Sequence, residues 1–404
     1  MLQQLTDYEL LGIKGHYNLS DGHAYHDINE TFPGFPNQLS EIWRDSELTK
    51  VNIAEQRFKN AFAKLINSET LELSHCYKIS PTASNSIDLV AAYLAIEAPR
   101  VLLIEPTFDN LALLLRRRGC LLQPLDETLF RNALNTQGLA SLFDELHFDT
   151  VFLVTPNNPT GMTIEPEHLT LIVDYCAQRK KTLVLDTTFR MYALHQHDER
   201  AYLVHSGCRY FIIEDTGKTW PTHDLKASLI SYSEGCARLF ETIYDEVYLC
   251  HSRFAMLLFE SLFEHTRHTG IATSIHAPVN NRHTYLIDKL SSSIVQPKTE
   301  RTHATLPLEW FELKTNNQVS DIDVVNHLAN KGVHVLPGRF FYWSKKRPPH
   351  TAFRVSLSRQ YSIFHTSVDK LKTAINQLED EYVKQVPNVF TDILPQTAMP
   401  ANRF

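Results

Sequence analysis

Lys218 stands in the string Glu214-Asp-Thr-Gly-Lys218-Thr-Trp, shortly after an apolar run. A lysine amine can attack a carbonyl and, once released, accept a proton, so its use depends on what surrounds it. Two strings upstream also follow apolar runs. One is Thr155-Pro-Asn-Asn-Pro-Thr-Gly161, with Asn158 at its centre; the other is Leu183-Val-Leu-Asp186. Taken singly they have plain uses: a proline-fixed turn, a helix N-cap and a solvated lysine. Pro81-Thr-Ala-Ser-Asn-Ser86 reads as the opening of a helix, and the free N–H groups there make Thr82, Ala83 and Ser84 candidates for cradling an anion. Near the N-terminus, Asn18-Leu-Ser-Asp-Gly-His23-Ala sets a histidine beside an Asp-Gly turn signal.

The elements that must position these residues follow a simple pattern. Between residues 45 and 233, short β-branched runs alternate with amphipathic helical stretches. Strands are expected at 101–104, 121–124, 150–154, 182–185, 210–213 and 227–231, and helices at 87–98 and 165–179. Apolar strands separated by helices imply a largely parallel sheet covered on both faces. Ligands of such sheets sit beyond the carboxyl ends of the strands. Asn158, Asp186 and Lys218 all fall there. The last third changes character, with long helices expected near 240–268 and 283–293. Strands at 306–313 and 352–357 and a helix at 367–383 follow. The expected division is an N-terminal segment at 1–45 that closes over the site and joins the small domain, a large domain at 46–275, a small α+β domain at 276–385 and a loose tail at 386–404.

Composition narrows the field. The 404 residues are 43% apolar and 21% charged, as in ordinary globular proteins. A net charge of −7 argues against a nucleic-acid partner, and Arg116-Arg117-Arg118 and Lys345-Lys346-Arg347 read as solvated surface. The six cysteines (76, 120, 176, 208, 236, 250) form no C-x-x-C pair, so neither a disulfide framework nor a metal site is expected. No stretch approaches the ~18 consecutive apolar residues of a membrane span, and residues 1–14 lack a signal-peptide pattern. A soluble, cytoplasmic protein is expected.

In this order and at these strand ends, the strings resemble the fold-type-I pyridoxal 5′-phosphate (PLP) enzymes, the aspartate aminotransferase superfamily, over roughly residues 45–383. Gly332-Val-His-Val-Leu-Pro-Gly338 resembles that superfamily's G-V-x-V-x-P-G turn, and Arg354 in Phe353-Arg-Val-Ser-Leu-Ser358 matches its carboxylate-binding arginine. The resemblance implies an α/β fold with a mostly parallel seven-stranded sheet in the large domain and a smaller α+β domain. It implies Lys218 as Schiff-base lysine and base at Cα, and Asp186 on the pyridinium nitrogen. Asn158 would donate to the ring O3′, and Phe108, in Glu105-Pro-Thr-Phe-Asp-Asn110, would stack on the ring. Thr82, Ala83, Ser84 and Lys226 would hold the phosphate, and Arg354 with Asn158 the substrate carboxylate. Superfamily sites lie at subunit interfaces, so a homodimer is implied.

Two departures narrow the resemblance. Asp186-Thr-Thr-Phe189 carries Phe where aminotransferases usually have Tyr, and Asp215 stands where they usually place a phosphate-binding Ser or Thr. A phosphate would repel that carboxylate, so Asp215 is expected to face a cationic substrate. With Leu5-Thr-Asp-Tyr-Glu9, the Asp-Gly-His-Ala turn and Glu214-Asp-Thr-Gly-Lys-Thr-Trp-Pro-Thr222, the sequence resembles the PLP-dependent arginine oxidases of cyclic-guanidine amino-acid biosynthesis. That resemblance implies oxidation of L-arginine with O2 as co-substrate, through quinonoid intermediates, to a 4-hydroxy-2-keto or unsaturated 2-keto acid. Thr6, Glu9 and Asp215 would contact the guanidinium under a closing N-terminal helix, and His23 would handle protons. Three alternatives stand beside it: a non-oxidative PLP enzyme on arginine or hydroxyarginine such as a cyclodehydratase, an ordinary class I/II aminotransferase, and a catalytically silent PLP-binding regulator.

Overall fold

The computed structural model describes residues 3–314, 319–345 and 348–383; the expected tail at 386–404 and Lys346-Arg347 of the second basic run lie outside the described residues. Seven strands form the central sheet: β1 (Tyr77–Ser80), β2 (Arg100–Glu105), β3 (Leu121–Asp126), β4 (Thr150–Val154), β5 (Thr182–Asp186), β6 (Arg209–Ile213) and β7 (Ser228–Tyr232). Their order is β1-β7-β6-β5-β4-β2-β3. β7 runs antiparallel to both its neighbours, and every other pair is parallel. β4, β5 and β7 are buried at every residue. That is the burial expected of strands covered on both faces, and it explains the apolar runs of β4 and β5.

Two apolar clusters pack around the sheet. In one, α3 (Ala83–Glu97), α4 (Asp109–Arg118) and α5 (Pro166–Gln178) contribute Val90, Leu115 and Ile172 to a core that holds strand residues of both faces, Leu102 on one and Phe152 and Phe211 on the other. In the second, α2 (Val51–Leu65) and α6 (Arg253–Thr269) pack Phe58, Phe62 and Phe263 around Trp220. This second cluster continues into a four-stranded antiparallel sheet of β8 (Val295–Pro297), β9 (Leu308–Leu313), β10 (Leu336–Pro337) and β11 (Ala352–Ser356), in the order β10-β11-β9-β8. The helices α7 (Ala277–Leu290) and α8 (Tyr361–Val383) flank it. The N-terminal segment, opening with α1 (Leu5–Ile13), is stitched onto this region. Tyr17-Asn18 pairs with Val333-His334, and Leu19 exchanges backbone hydrogen bonds with His334 and Ser356. Among the described residues no helix is long and apolar enough to cross a membrane.

Several elements differ from the sequence expectation, the short β8 and β10 among them. β1 was not expected, because its four residues carry only a weak pattern. The helix expected near 240–268 is two helices, Glu234–Val247 and α6, parted by an extended Tyr248 and restarted where Ser252 accepts from the Ala255 N–H. Apolar residues recur on both sides of the break, so periodicity alone does not reveal it.

Candidate active site

The register of three neighbouring strands builds the site. Val154 lies opposite Asp186 and Asp186 opposite Ile213. The loops carrying Asn158, Asp186 and Lys218 therefore open side by side at one edge of the sheet. Asp186 is buried, and its Oδ1 accepts from the Thr188 N–H at 3.0 Å. Burial pushes its pKa up to about 6; Thr188 and the Lys218 charge oppose the rise, and Asp215 adds to it. Asp215 itself accepts from the Gly217 N–H at 3.2 Å, which tightens the lysine loop. The Tyr192 hydroxyl donates to the Lys218 carbonyl at 2.7 Å and fixes the loop from below. Phe189, where the resemblance marks a missing tyrosine, is buried against Tyr192.

Lys226 lies along the same loop because residue 217 is glycine: a Cβ there would come within 2.8–3.1 Å of the Lys226 stem. The Lys226 ammonium reaches His23 Nε2 at 3.2 Å. His23 Nδ1 stands 3.4 Å from Asp21 Oδ1. The Lys218 charge and burial push the His23 pKa down against the pull of Asp21. Burial alone would raise the Asp21 carboxyl, but Arg359 and His23 hold it well below the usual carboxylate range. Arg359 is the clamp of this turn. It pairs with Asp21 Oδ2 at 2.7 Å and donates to the carbonyls of Asn18, Asp21 and His23 at 2.7, 2.9 and 3.2 Å.

Gly22 brings the turn against the remaining groups. A Cβ there would stand 3.9 Å from both terminal nitrogens of Arg354 and 4.0 Å from Lys218 Nζ. Arg354 is buried, donates to Asn158 Oδ1 at 3.2 Å and to the Ser20 carbonyl, and lies over the ring of Phe341. Burial lowers its pKa to about 10, and its Nε is buried without a hydrogen-bond partner among the described residues. Phe341 meets Phe108 edge-on at 6.2 Å. Glu9 of α1 stands 4.0 Å from Arg354 Nη2. Burial pushes its pKa up, while Arg354 and Lys218 draw it back. Thr6 lies one turn earlier on the same helix. Thr82 caps α3 by accepting from the Asn85 N–H, and Ser84 accepts from Asn110. Thr6, Thr82, Ala83 and Ser84 make no direct hydrogen bond to this network among the described residues.

The likeness to known proteins extends beyond the site. The family model for aminotransferase class I and II matches residues 48–220. The solved structure of MppP, soaked with the product 2-ketoarginine, is 30% identical, with a TM-score of 0.80 over 88% of this chain and 99% of that one. The chain belongs to the class I and II aminotransferase family. It is also similar in fold to YbdL of Escherichia coli, a methionine aminotransferase, at 14% identity and TM-score 0.74 over 92% of this chain and 98% of that one. The aspartate aminotransferase of Thermus thermophilus gives 13% and 0.72 over 93% and 97%. As a member of this family, the chain is a PLP-dependent enzyme.

The donor set fits that cofactor. A buried acid whose charge the chain disfavours suits a pyridinium N–H, and an amine at a strand end suits an aldehyde. Asn158 spends Oδ1 on Arg354, which leaves Nδ2 as the atom that would donate to a ring oxygen. Lys226 and the α3 cap supply the cation and free N–H groups a phosphate needs.

Three functional neighbours escape a reading of the sequence. Arg359 and Tyr192 carry no motif signal of their own. The third is an ion pair: Arg190 Nε donates to both Glu214 oxygens at 3.0 Å, and Arg200 joins at 2.9 Å. The pair joins the last residue of Asp186-Thr-Thr-Phe-Arg190 to the first of the lysine string, so it braces the two strand ends. Glu214 was visible in the lysine string; its partnership with Arg190 was not.

Proposed function

We propose that the chain oxidises L-arginine with two O2 to a 2-keto acid, unsaturated or hydroxylated at C4, the α-amino group leaving as ammonia by hydrolysis and each O2 leaving as hydrogen peroxide. The observation that carries this reading is Glu9, a carboxylate that burial pushes toward neutrality at the mouth of the site beside Arg354 and Lys218. A substrate guanidinium in hydrogen-bond contact would add to the pull of Arg354, 4.0 Å away, and offset that burial. Two further carboxylates by the strand ends, Asp186 and Asp215, add negative potential. MppP supports the substrate class, because 2-ketoarginine is what loss of the α-amino group from arginine leaves.

The residues divide the work. Arg354 binds the α-carboxylate, its Nε supplying a donor, with Asn158 beside it. Glu9, Thr6 and Asp215 hold the guanidinium at the far end and so fix Cα near Lys218, which removes its proton. Lys226, Thr82, Ala83 and Ser84 hold the phosphate, Phe108 covers the ring, and Asp186 keeps the ring nitrogen protonated. The cofactor, when bound, supplies an electron sink for charge developing at Cα. His23, kept neutral by Lys218 and burial, is free to take a proton during O2 reduction or from an attacking water. Arg359 and Asp21 hold it there.

The test is an oxygen electrode with the PLP-loaded enzyme and L-arginine, with mass analysis of the products. Oxygen uptake with 2-keto products is expected. In Lys218→Ala, the uptake and the visible absorbance of the lysine–cofactor Schiff base in the substrate-free enzyme should both vanish. Conversion of arginine without oxygen uptake would overturn the oxidase reading in favour of a transaminase or a non-oxidative enzyme.

A further inference from the structure

The string that presents Phe108 continues into Asp109, the first residue of α4, and this carboxylate reaches across the molecule. It is buried, and its Oδ2 accepts from the Leu5 N–H at 2.9 Å. Leu5 opens α1, so its N–H is one of the amides a helix leaves unpaired at its start. The carboxylate also meets the positive end of the helix dipole. Such acceptors usually come from the adjacent residue; here one comes from a different element. Asp7 Oδ2 takes the Gln3 and Gln4 N–H groups, which leaves that of Leu5 for Asp109.

The opposite end of α1 is held by close approach. Gly12 is buried, and a Cβ there would stand 2.2 Å from Ser20 Oγ and 2.7 Å from Asn18 Oδ1. Between these two anchors lie Thr6 and Glu9. Leu5 and Tyr8 are buried beneath the helix, whereas Leu10, Leu11 and Ile13 face outward, 54%, 42% and 56% exposed. A helix of nine residues is marginal on its own, so its place depends on these anchors. Burial, with Glu9 and Asp7 adding to it, pushes the Asp109 carboxyl up to about 7 against the pull of Leu5, and its Oδ1 has no hydrogen-bond partner among the described residues. A buried acid in that setting costs stability, which a mere packing role does not explain.

We propose that Asp109 is a positioning residue for the substrate: it anchors α1 so that Glu9 and Thr6 reach the guanidinium, tying the helix over the site to the loop that carries Phe108. The substrate part of this proposal rests on the arginine reading; the anchoring part does not.

Two measurements on the PLP-loaded enzyme separate them. The first is trypsin cleavage after the exposed Lys14, followed by mass spectrometry. Asp109→Ala should speed it about tenfold, the scale of losing a helix N-terminal acceptor. Asp109→Asn, which keeps an oxygen for the Leu5 N–H, should stay near the parent. The second is arginine kinetics. Asp109→Ala should raise KM about tenfold with cofactor absorbance unchanged and kcat within about twofold, and Asp109→Asn should restore KM. If Asp109→Ala does not fold, Gly12→Ala loosens the other anchor and should give the same two changes. Unchanged cleavage overturns the anchor. Faster cleavage with unchanged arginine KM overturns the positioning role. A parent enzyme that does not turn over arginine overturns the substrate reading, and the cleavage rates then decide the anchor by themselves.

Discussion

Asp186 is a charge placed where the surrounding chain disfavours it. Its ordinary pKa of 3.8 is pushed up to about 6, chiefly by burial. A carboxyl raised in this way stabilises the fold below its unfolded pKa, and that contribution is lost as pH rises through about 6. Ionisation at pH 8 therefore costs the cofactor-free protein about 3 kcal/mol relative to the unfolded chain. Asn keeps an oxygen for the Thr188 N–H and removes the charge. Stripped of PLP, Asp186→Asn should thus melt above the parent at pH 8, and the gain should fade to nothing near pH 4. With PLP bound the order should reverse, because the pyridinium stabilises the parent's carboxylate alone. Thermal melts across this range check both statements. A gain in the stripped protein that ignores pH would mean Asp186 ionises freely there, and an order that does not reverse with PLP bound would remove the pairing assigned to it.

At the scale of elements, legibility followed how local the signal was. β4, β5 and β6 were readable because strands buried on both faces must be apolar throughout, and the loops after them were readable because each carries a short string of fixed types. β1 was not readable, since its place beside β7 is decided by a contact distant in sequence. Arg359 was hidden for the same reason: besides the Asp21 carboxylate its partners are backbone carbonyls of residues 18–23, distant in sequence and without trace in composition. Within α1 the sequence showed Thr6 and Glu9 one turn apart, but not that Asp109 and Gly12 hold the helix. The element makes its own prediction. Glu9→Gln and Asp215→Asn each remove a carboxylate assigned to the guanidinium while keeping shape. Each should weaken L-arginine binding about tenfold or more, the scale of losing a partner to a charged group. PLP affinity should change far less. Titrating arginine and PLP separately into each variant checks this, and parent-like arginine affinity in both would remove the guanidinium assignment.

On the scale of the whole molecule, the site is a meeting of distant parts. Residues from Glu9 to Arg359 converge where the parallel sheet, the antiparallel sheet and the N-terminal segment join, so no single unit of the chain holds a complete site. The surface carries a further sign of incompleteness. Leu39 and Trp43, four residues apart on one helix, are 39% and 56% exposed; Ile53 and Leu48 are 42% and 87% exposed, and Leu249 is 99% exposed. The superfamily resemblance implies sites at subunit interfaces, and a homodimer is proposed on that ground; exposed apolar side chains such as these are what a second subunit would cover. Sedimentation at micromolar protein should give twice the chain's mass. If the second subunit completes the site, turnover of arginine per chain should also fall as dilution drives dissociation, and added inactive Lys218→Ala chains should restore it by pairing with active ones. A monomer throughout the micromolar range would exclude the dimer. A dimer whose subunits keep full turnover after dissociation would mean that each chain's site is complete without its partner.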